Sequence, residues 1–276
     1  MSSVQVACCQ LAPVIGDLAA NRDLVAAAVG AAAARGAAVV VLPELVTSGY
    51  AFADRAEARA AAEPADGPAL TLWCRLAAEY GLVLVGGFCE LDPDGDVRNS
   101  AAVVDPGGLR AVYRKTHLWD AERLIFTPGR EAPPVVATAA GRIGVVICYD
   151  LEFPEWVRLP ALAGAQLLCA PVNWPASPRP AGERPAEVVR VQAGAGVNRM
   201  FVAACDRVGP ERGVDWVGGS VIVDPDGWPL ADAGPTGDAV TITAGCRLDE
   251  ADSKAVGGLS DIHADRRPEL YGDVAR

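Results

Sequence analysis

Histidine is nearly absent from this 276-residue chain: there are two, His117 and His263, and no Cys-x-x-Cys pair accompanies them. That pattern argues against zinc, whose sites draw on clustered Cys, His and acidic ligands. A basic stripe is also missing. With 24 Lys and Arg against 35 Asp and Glu the net charge is -11, and nucleic acid is excluded as an expected partner. Apolar runs stay short, because Gly30, Arg35 and Gly36 interrupt the longest of them, whereas a membrane span needs roughly 20 apolar residues. No membrane partner is expected. The opening MSSVQVACCQLAP has no basic segment ahead of an apolar one, so nothing resembles an export signal. A cytoplasmic location is expected, in which the eight cysteines stay reduced and mostly serve as small buried hydrophobes. No Ser/Gly-rich or charge-run linker divides the chain, so 1–276 is read as a single domain, with the polar stretch 251–276 as a C-terminal arm.

What is present is a 51% hydrophobic, 21% charged composition, enough apolar material for a large core. Residues 4–11 read as a buried strand, 18–34 as an Ala-rich helix, 38–42 as a second strand, 68–80 as a helix stopped by Gly81, and 82–88 as a third strand. The alternation predicts an α/β fold. Turn residues Asp105-Pro106-Gly107-Gly108 join 99–104 to 109–114 as a hairpin, so the sheet is mixed. Further strands are expected at 142–147, 166–171, 200–205, 219–223, 228–230 and 236–246, with helices at 154–163 and 183–198.

Function in such folds collects where strands end. Three ends carry reactive groups: Glu44 in VVVLPELVTSGY, Lys115 in VYRKTHLWDAERLIFTPG, and Cys148 in RIGVVICYDLEFPE. Each taken alone has a bland reading as a capping carboxylate, a solvated lysine or a packed cysteine. Together they suffice for covalent chemistry. Cys148 sits at a strand tip just ahead of a helix, where backbone N–H groups and a nearby lysine favour the thiolate. Neither histidine has an evident Asn or Asp orienter in the sequence, so the base falls to Glu44. Lys115 would then stabilise the oxyanion of a tetrahedral intermediate.

These segments, in this order, resemble the signatures of the nitrilase superfamily of carbon-nitrogen hydrolases. Glu122, APVNWP at 170–175 and GGSVIVDPDGWPLA at 218–231 extend the resemblance over nearly the whole chain. It implies a four-layer α-β-β-α sandwich with two mixed β-sheets, and protomers paired into a homodimer or higher even homo-oligomer. It also implies an amidase-like reaction through a Cys148 thioester, with Glu122 orienting the lysine, the backbone N–H of Tyr149 completing the oxyanion hole, and no metal or organic cofactor. One departure is that Asp206 stands where an asparagine is frequent. Tyr149 after the nucleophile favours a small-molecule amide over a nitrile as substrate, and an N-carbamoyl amine hydrolase is the alternative. A catalytically silent binding protein of the same fold is the non-enzyme alternative. Candidate substrate-binding residues are Tyr50, Trp119, Glu152, Asn173 and Trp174. Phe126 and Trp156 are further candidates for the pocket wall.

Overall fold

The computed structural model describes residues 3–234 and 237–274. The chain begins with β1 (Val4–Gln10), α1 (Leu18–Ala34), β2 (Val39–Val41), α2 (Arg55–Ala60), α3 (Pro68–Tyr80) and β3 (Val83–Leu91). It continues with β4 (Val97–Asp105), β5 (Gly108–Arg114), α4 (Glu122–Ile125), β6 (Val135–Thr138), β7 (Gly141–Val145) and α5 (Pro154–Leu162). Then come β8 (Leu167–Pro171), α6 (Ala186–Asn198), β9 (Phe201–Cys205), β10 (Val221–Val223), β11 (Pro229–Asp232) and β12 (Val240–Cys246). Two short strands, β13 (Ala255–Gly257) and β14 (Ser260–Asp261), pair near the end.

Two six-stranded sheets form, in the orders β12-β1-β2-β3-β4-β5 and β11-β10-β9-β8-β7-β6. Each contains parallel and antiparallel neighbours, and the pairing pattern repeats. Across the first sheet from β12 it runs antiparallel, parallel, parallel, antiparallel, antiparallel. The second, taken from β6, runs the same way.

Side chains alternate across a strand, and the alternation sorts the layers. Val6 and Cys8 of β1, Val39 and Val41 of β2, and Val83 and Val85 of β3 join one cluster with the second sheet. Their neighbours Ala7, Cys9, Val40, Leu42 and Leu84 face Val25 and Val29 of α1 and Leu70 and Trp73 of α3. Val157 of α5 and Val191 of α6 cover the outer face of the second sheet. The four-layer α-β-β-α arrangement is the one expected.

Helix boundaries follow local chemistry. α1 starts where the Asp17 carboxylate accepts the Ala20 N–H at 3.0 Å, and α3 stops at Gly81, whose φ of +66° is left-handed. α6 begins at Ala186 rather than at 183, because Pro185 keeps the residue before it out of the helical region. The last sheet strand starts at Val240; its expected start, Thr236, lies outside the described residues. The C-terminal arm is corrected at its root: Ala251 is buried in the core within a 3-10 turn, Leu248–Asp252. From Ser253 to Val274 the chain is exposed or half-buried.

Candidate active site

Strand β2 delivers Pro43 and Glu44 at its carboxyl end, and β3 runs beside them. Gly87 of β3 permits the approach: a Cβ there would lie 2.4 Å from Leu45 N and 2.5 Å from Glu44 Cα. Alanine at this position must push the Glu44 segment away. Gly87→Ala is expected to lower stability by about 1–3 kcal/mol through overpacking. Because a displacement near 1 Å costs on the order of 100-fold in rate, kcat should fall at unchanged protein concentration. Denaturant melts and steady-state kinetics check this.

Strand β5 ends at Arg114, so Lys115 follows directly and is carried inward; it is 1% exposed. Its Nζ donates to Glu44 Oε1 at 2.7 Å and to Glu122 Oε1 at 2.7 Å. Glu122 opens α4, and both its oxygens are engaged: Oε1 also accepts the Tyr50 hydroxyl at 2.6 Å, and Oε2 accepts Trp119 N–H at 3.0 Å. Glu44 is held on one side only. Its Oε1 accepts Asn99 Nδ2 at 2.7 Å as well as the lysine, while Oε2 is buried without a hydrogen-bond partner among the described residues. One carboxylate is therefore positioned and the other is available.

Cys148 follows β7 and opens a 3-10 turn, Cys148–Glu152. Its φ of +44° is left-handed, costly for any residue but glycine, and Leu45, next to Glu44, shares that strain at +48°. Asp150 holds the turn. Its Oδ2 accepts Ile147 N–H at 3.0 Å and the Tyr113 hydroxyl at 2.7 Å, and its Oδ1 accepts the His117 backbone N–H at 3.2 Å. The turn's first bond runs from Asp150 N–H to Ile147 O, so the N–H of Tyr149 has no intrahelical partner.

Two expectations change here. His117 does have an acidic orienter, since Nδ1 lies 2.7 Å from Asp150 Oδ1 and its ring stacks on Phe153 at 3.8 Å. It braces the nucleophile's turn. The thiolate expected from the helix start and the lysine is also overruled, because burial and the negative Glu44 outweigh Lys115 and push the Cys148 thiol well above its ordinary value. Held this way, the thiol keeps its proton more tightly than a free cysteine does. Burial likewise lifts Glu44 to about 7 against the pull of Lys115, a value suited to a base near neutrality.

A sequence profile of the family described as carbon-nitrogen hydrolase matches residues 5–255. The chain belongs to that family. This carbon-nitrogen hydrolase is 36% identical over 272 residues to a nitrilase of Pyrococcus abyssi, covering 97% of this chain and 99% of that one. It is 35% identical over 265 residues to an (R)-stereoselective amidase of a Pseudomonas species, covering 96% and 92%. A solved amidase from a Nesterenkonia species superposes with a TM-score of 0.80 at 28% identity, over 99% of this chain and 97% of that one. A variant of that amidase carries the acetamide moiety of fluoroacetamide on its active-site cysteine (TM-score 0.79, 27% identity, 99% and 97% coverage).

The hydrolase's cleft is a cavity of about 360 Å³ that opens above Cys148. All five expected substrate-binding residues line it: Tyr50, Trp119, Glu152, Asn173 and Trp174. Asn173, two residues beyond β8, ties the sheets together by donating from Nδ2 to Glu44 O at 2.9 Å, and its backbone carbonyl lies 3.7 Å from Cys148 Sγ. Trp156 does not line the cleft. Its Nε1 donates to Tyr113 at 2.9 Å, and Phe126 packs on Phe52 beside a neighbouring cavity. Asp206 is buried and accepts backbone N–H groups from Trp174, Arg207 and Gly219 at 3.1, 2.9 and 2.9 Å. An amide side chain there would keep only one acceptor oxygen for the three. Asn99, Asp150 and Glu187, the last of which lines the cleft, were not foreseen as site residues. Asp150 alone had a signal, its place two residues after the nucleophile.

Proposed function

We propose that the protein hydrolyses the amide C–N bond of a small molecule through an acyl thioester on Cys148. Glu44 Oε2 takes the thiol proton as sulfur attacks the carbonyl carbon. Lys115 Nζ and the Tyr149 N–H receive the oxyanion. The tetrahedral intermediate collapses, the C–N bond breaks, and protonated Glu44 gives its proton to the departing ammonia or amine. Water then enters, Glu44 takes one of its protons, the resulting hydroxide adds to the thioester, and the carboxylic acid leaves as sulfur regains a proton. The observation that carries this reading is the single unpartnered oxygen of Glu44, whose other oxygen is held by the fixed Lys115 ammonium. Glu122, with both oxygens engaged, positions the lysine.

The test is ammonia release from a panel of small amides, carbamoyl amines and nitriles, with and without Cys148→Ala. Acyl adducts at Cys148 and none at Cys169 are expected by mass spectrometry; adducts at another cysteine with Cys148 unmodified overturn the assignment. The pH profile follows from the same base. Glu44 must be ionised to accept a proton, so kcat/KM is expected to rise with pH through about 7 and to fall on the acid side. An acid limb lying wholly below pH 5 contradicts a buried glutamate base.

We also propose that two copies of the chain pair. The outer faces of α5 and α6 expose Leu159, Leu162, Val189 and Val197, apolar surface that a second copy would cover. Sedimentation should give at least twice the 28.5 kDa of one chain, and a stable monomer overturns it.

A further inference from the structure

The charged residues that line the catalytic cleft are Glu152 and Glu187, both acidic. Glu152 ends the 3-10 turn that Cys148 begins, and Glu187 stands in the first turn of α6. Arg190 pairs with both, at 2.8 Å and 3.8 Å, but does not itself line the cleft. One positive charge against two negative leaves the cavity wall acidic. Side-chain exposures of 34% and 19% keep the pair partly shielded from the screening that weakens surface charges.

A second observation points the same way. Asn173 is 1% exposed and lines the same cleft. Its Nδ2 is used by Glu44 O, yet Oδ1 has no hydrogen-bond partner among the described residues. A buried acceptor left unpaired is costly, and a ligand rich in N–H groups satisfies it. Cys148 and Glu152 stand at the two ends of one five-residue turn and line the same cleft. A ligand whose carbonyl lies at Cys148 therefore has the carboxylates within reach along the same cavity.

We infer that Glu152 and Glu187 form a cation subsite in the catalytic cleft, which selects substrates bearing a protonated amine a few methylenes from the scissile carbonyl. The inference rests on the amide-hydrolase reading. The ammonium sits against the carboxylates while the scissile carbonyl meets Cys148 and the amide N–H groups face Asn173 Oδ1. Glu152 and Glu187 thereby determine specificity and take no part in bond making.

The experiment compares kcat/KM within two pairs. In 6-aminohexanamide against hexanamide the amine rides on the acyl arm, and in N-carbamoylcadaverine against N-carbamoylpentylamine it rides on the departing arm. In at least one pair the charged member should be favoured tenfold or more, the equivalent of about 1.4 kcal/mol. Added salt should erode that preference, and Glu187→Gln should reduce it toward parity. No preference in either pair, or one that survives the Glu152→Gln/Glu187→Gln double variant, overturns the subsite. Acetamide and propionamide separate the two ideas. If neither these nor the four test compounds release ammonia, the hydrolase reading fails; if they turn over while the charged compounds gain nothing, only the cation subsite fails.

Discussion

Replacing Cys148 with alanine is expected to abolish turnover, by roughly 10⁴-fold or more, since removing a nucleophile leaves only what binding and the oxyanion donors supply. The fold should survive. Sγ makes one long polar contact among the described residues, 3.7 Å to Asn173 O, and alanine fits the same backbone. Stability measured by denaturant melt should therefore change far less than activity. Cys169→Ala is the control: that side chain is fully buried in β8, packed among apolar residues, so its loss should cost stability and leave the rate per folded molecule nearly intact. Because the Cys148 thiol lies well above its ordinary value, alkylation by a small haloacetamide should also depend on its neighbour. Glu44→Gln should slow turnover while easing that alkylation, because it removes one of the charges that hold the thiol up. Slower alkylation in the Glu44→Gln protein would show that the thiol cannot react without the glutamate.

Lys115→Met has the second large effect, and it falls on both activity and stability. Losing one oxyanion donor costs on the order of 10²–10³ in kcat. The ammonium is also the positive partner of Glu44 and Glu122, both at 2.7 Å and both shielded from solvent. Removing one member of a buried ion pair typically costs about 3–5 kcal/mol, because the remaining charge is uncompensated. The pH dependence has a definite sign. Glu44 already stands raised to about 7, and Lys115 is the group pulling it down. Without the lysine it rises further. An acid whose folded pKa exceeds its unfolded value adds stability that is present below the unfolded pKa and lost as pH rises through the folded one. The Lys115→Met deficit should thus be smallest in acid and grow through neutrality. A second change, Glu122→Gln, should return part of the stability and none of the activity. A deficit independent of pH would mean that packing, and not charge, dominates.

How much of this was legible beforehand depended on the range of the interaction. Helices 18–34 and 68–80 were readable to the residue because Asp17 and Gly81 act on their own neighbours. The hairpin at 105–108 was readable for the same reason. Short elements were missed: α2 has six residues and α4 four, too few for a helical period to show. Glu44, Lys115, Glu122 and Cys148 were found because each sits at a strand end or in a resembling segment. Asn99, by contrast, opened a predicted strand with nothing to mark the direction of its amide. Asp150 and His117 are 33 residues apart, and only the docking of β5 against the nucleophile's turn brings them together. The ionisation of Cys148 failed for a related reason. Its lysine was visible in the sequence, but the burial of the thiol and the opposing carboxylate were not.

The two sheets repeat one pairing scheme, and the working groups are divided between them. The glutamate and the lysine hang from strands of the first, whereas the cysteine and Asn173 hang from strands of the second. Neither half of the molecule carries a complete catalyst. Competence arises only once the halves have met face to face, so a partly assembled chain is chemically inert, and enzymatic output reports on the last stage of assembly rather than on secondary structure already in place.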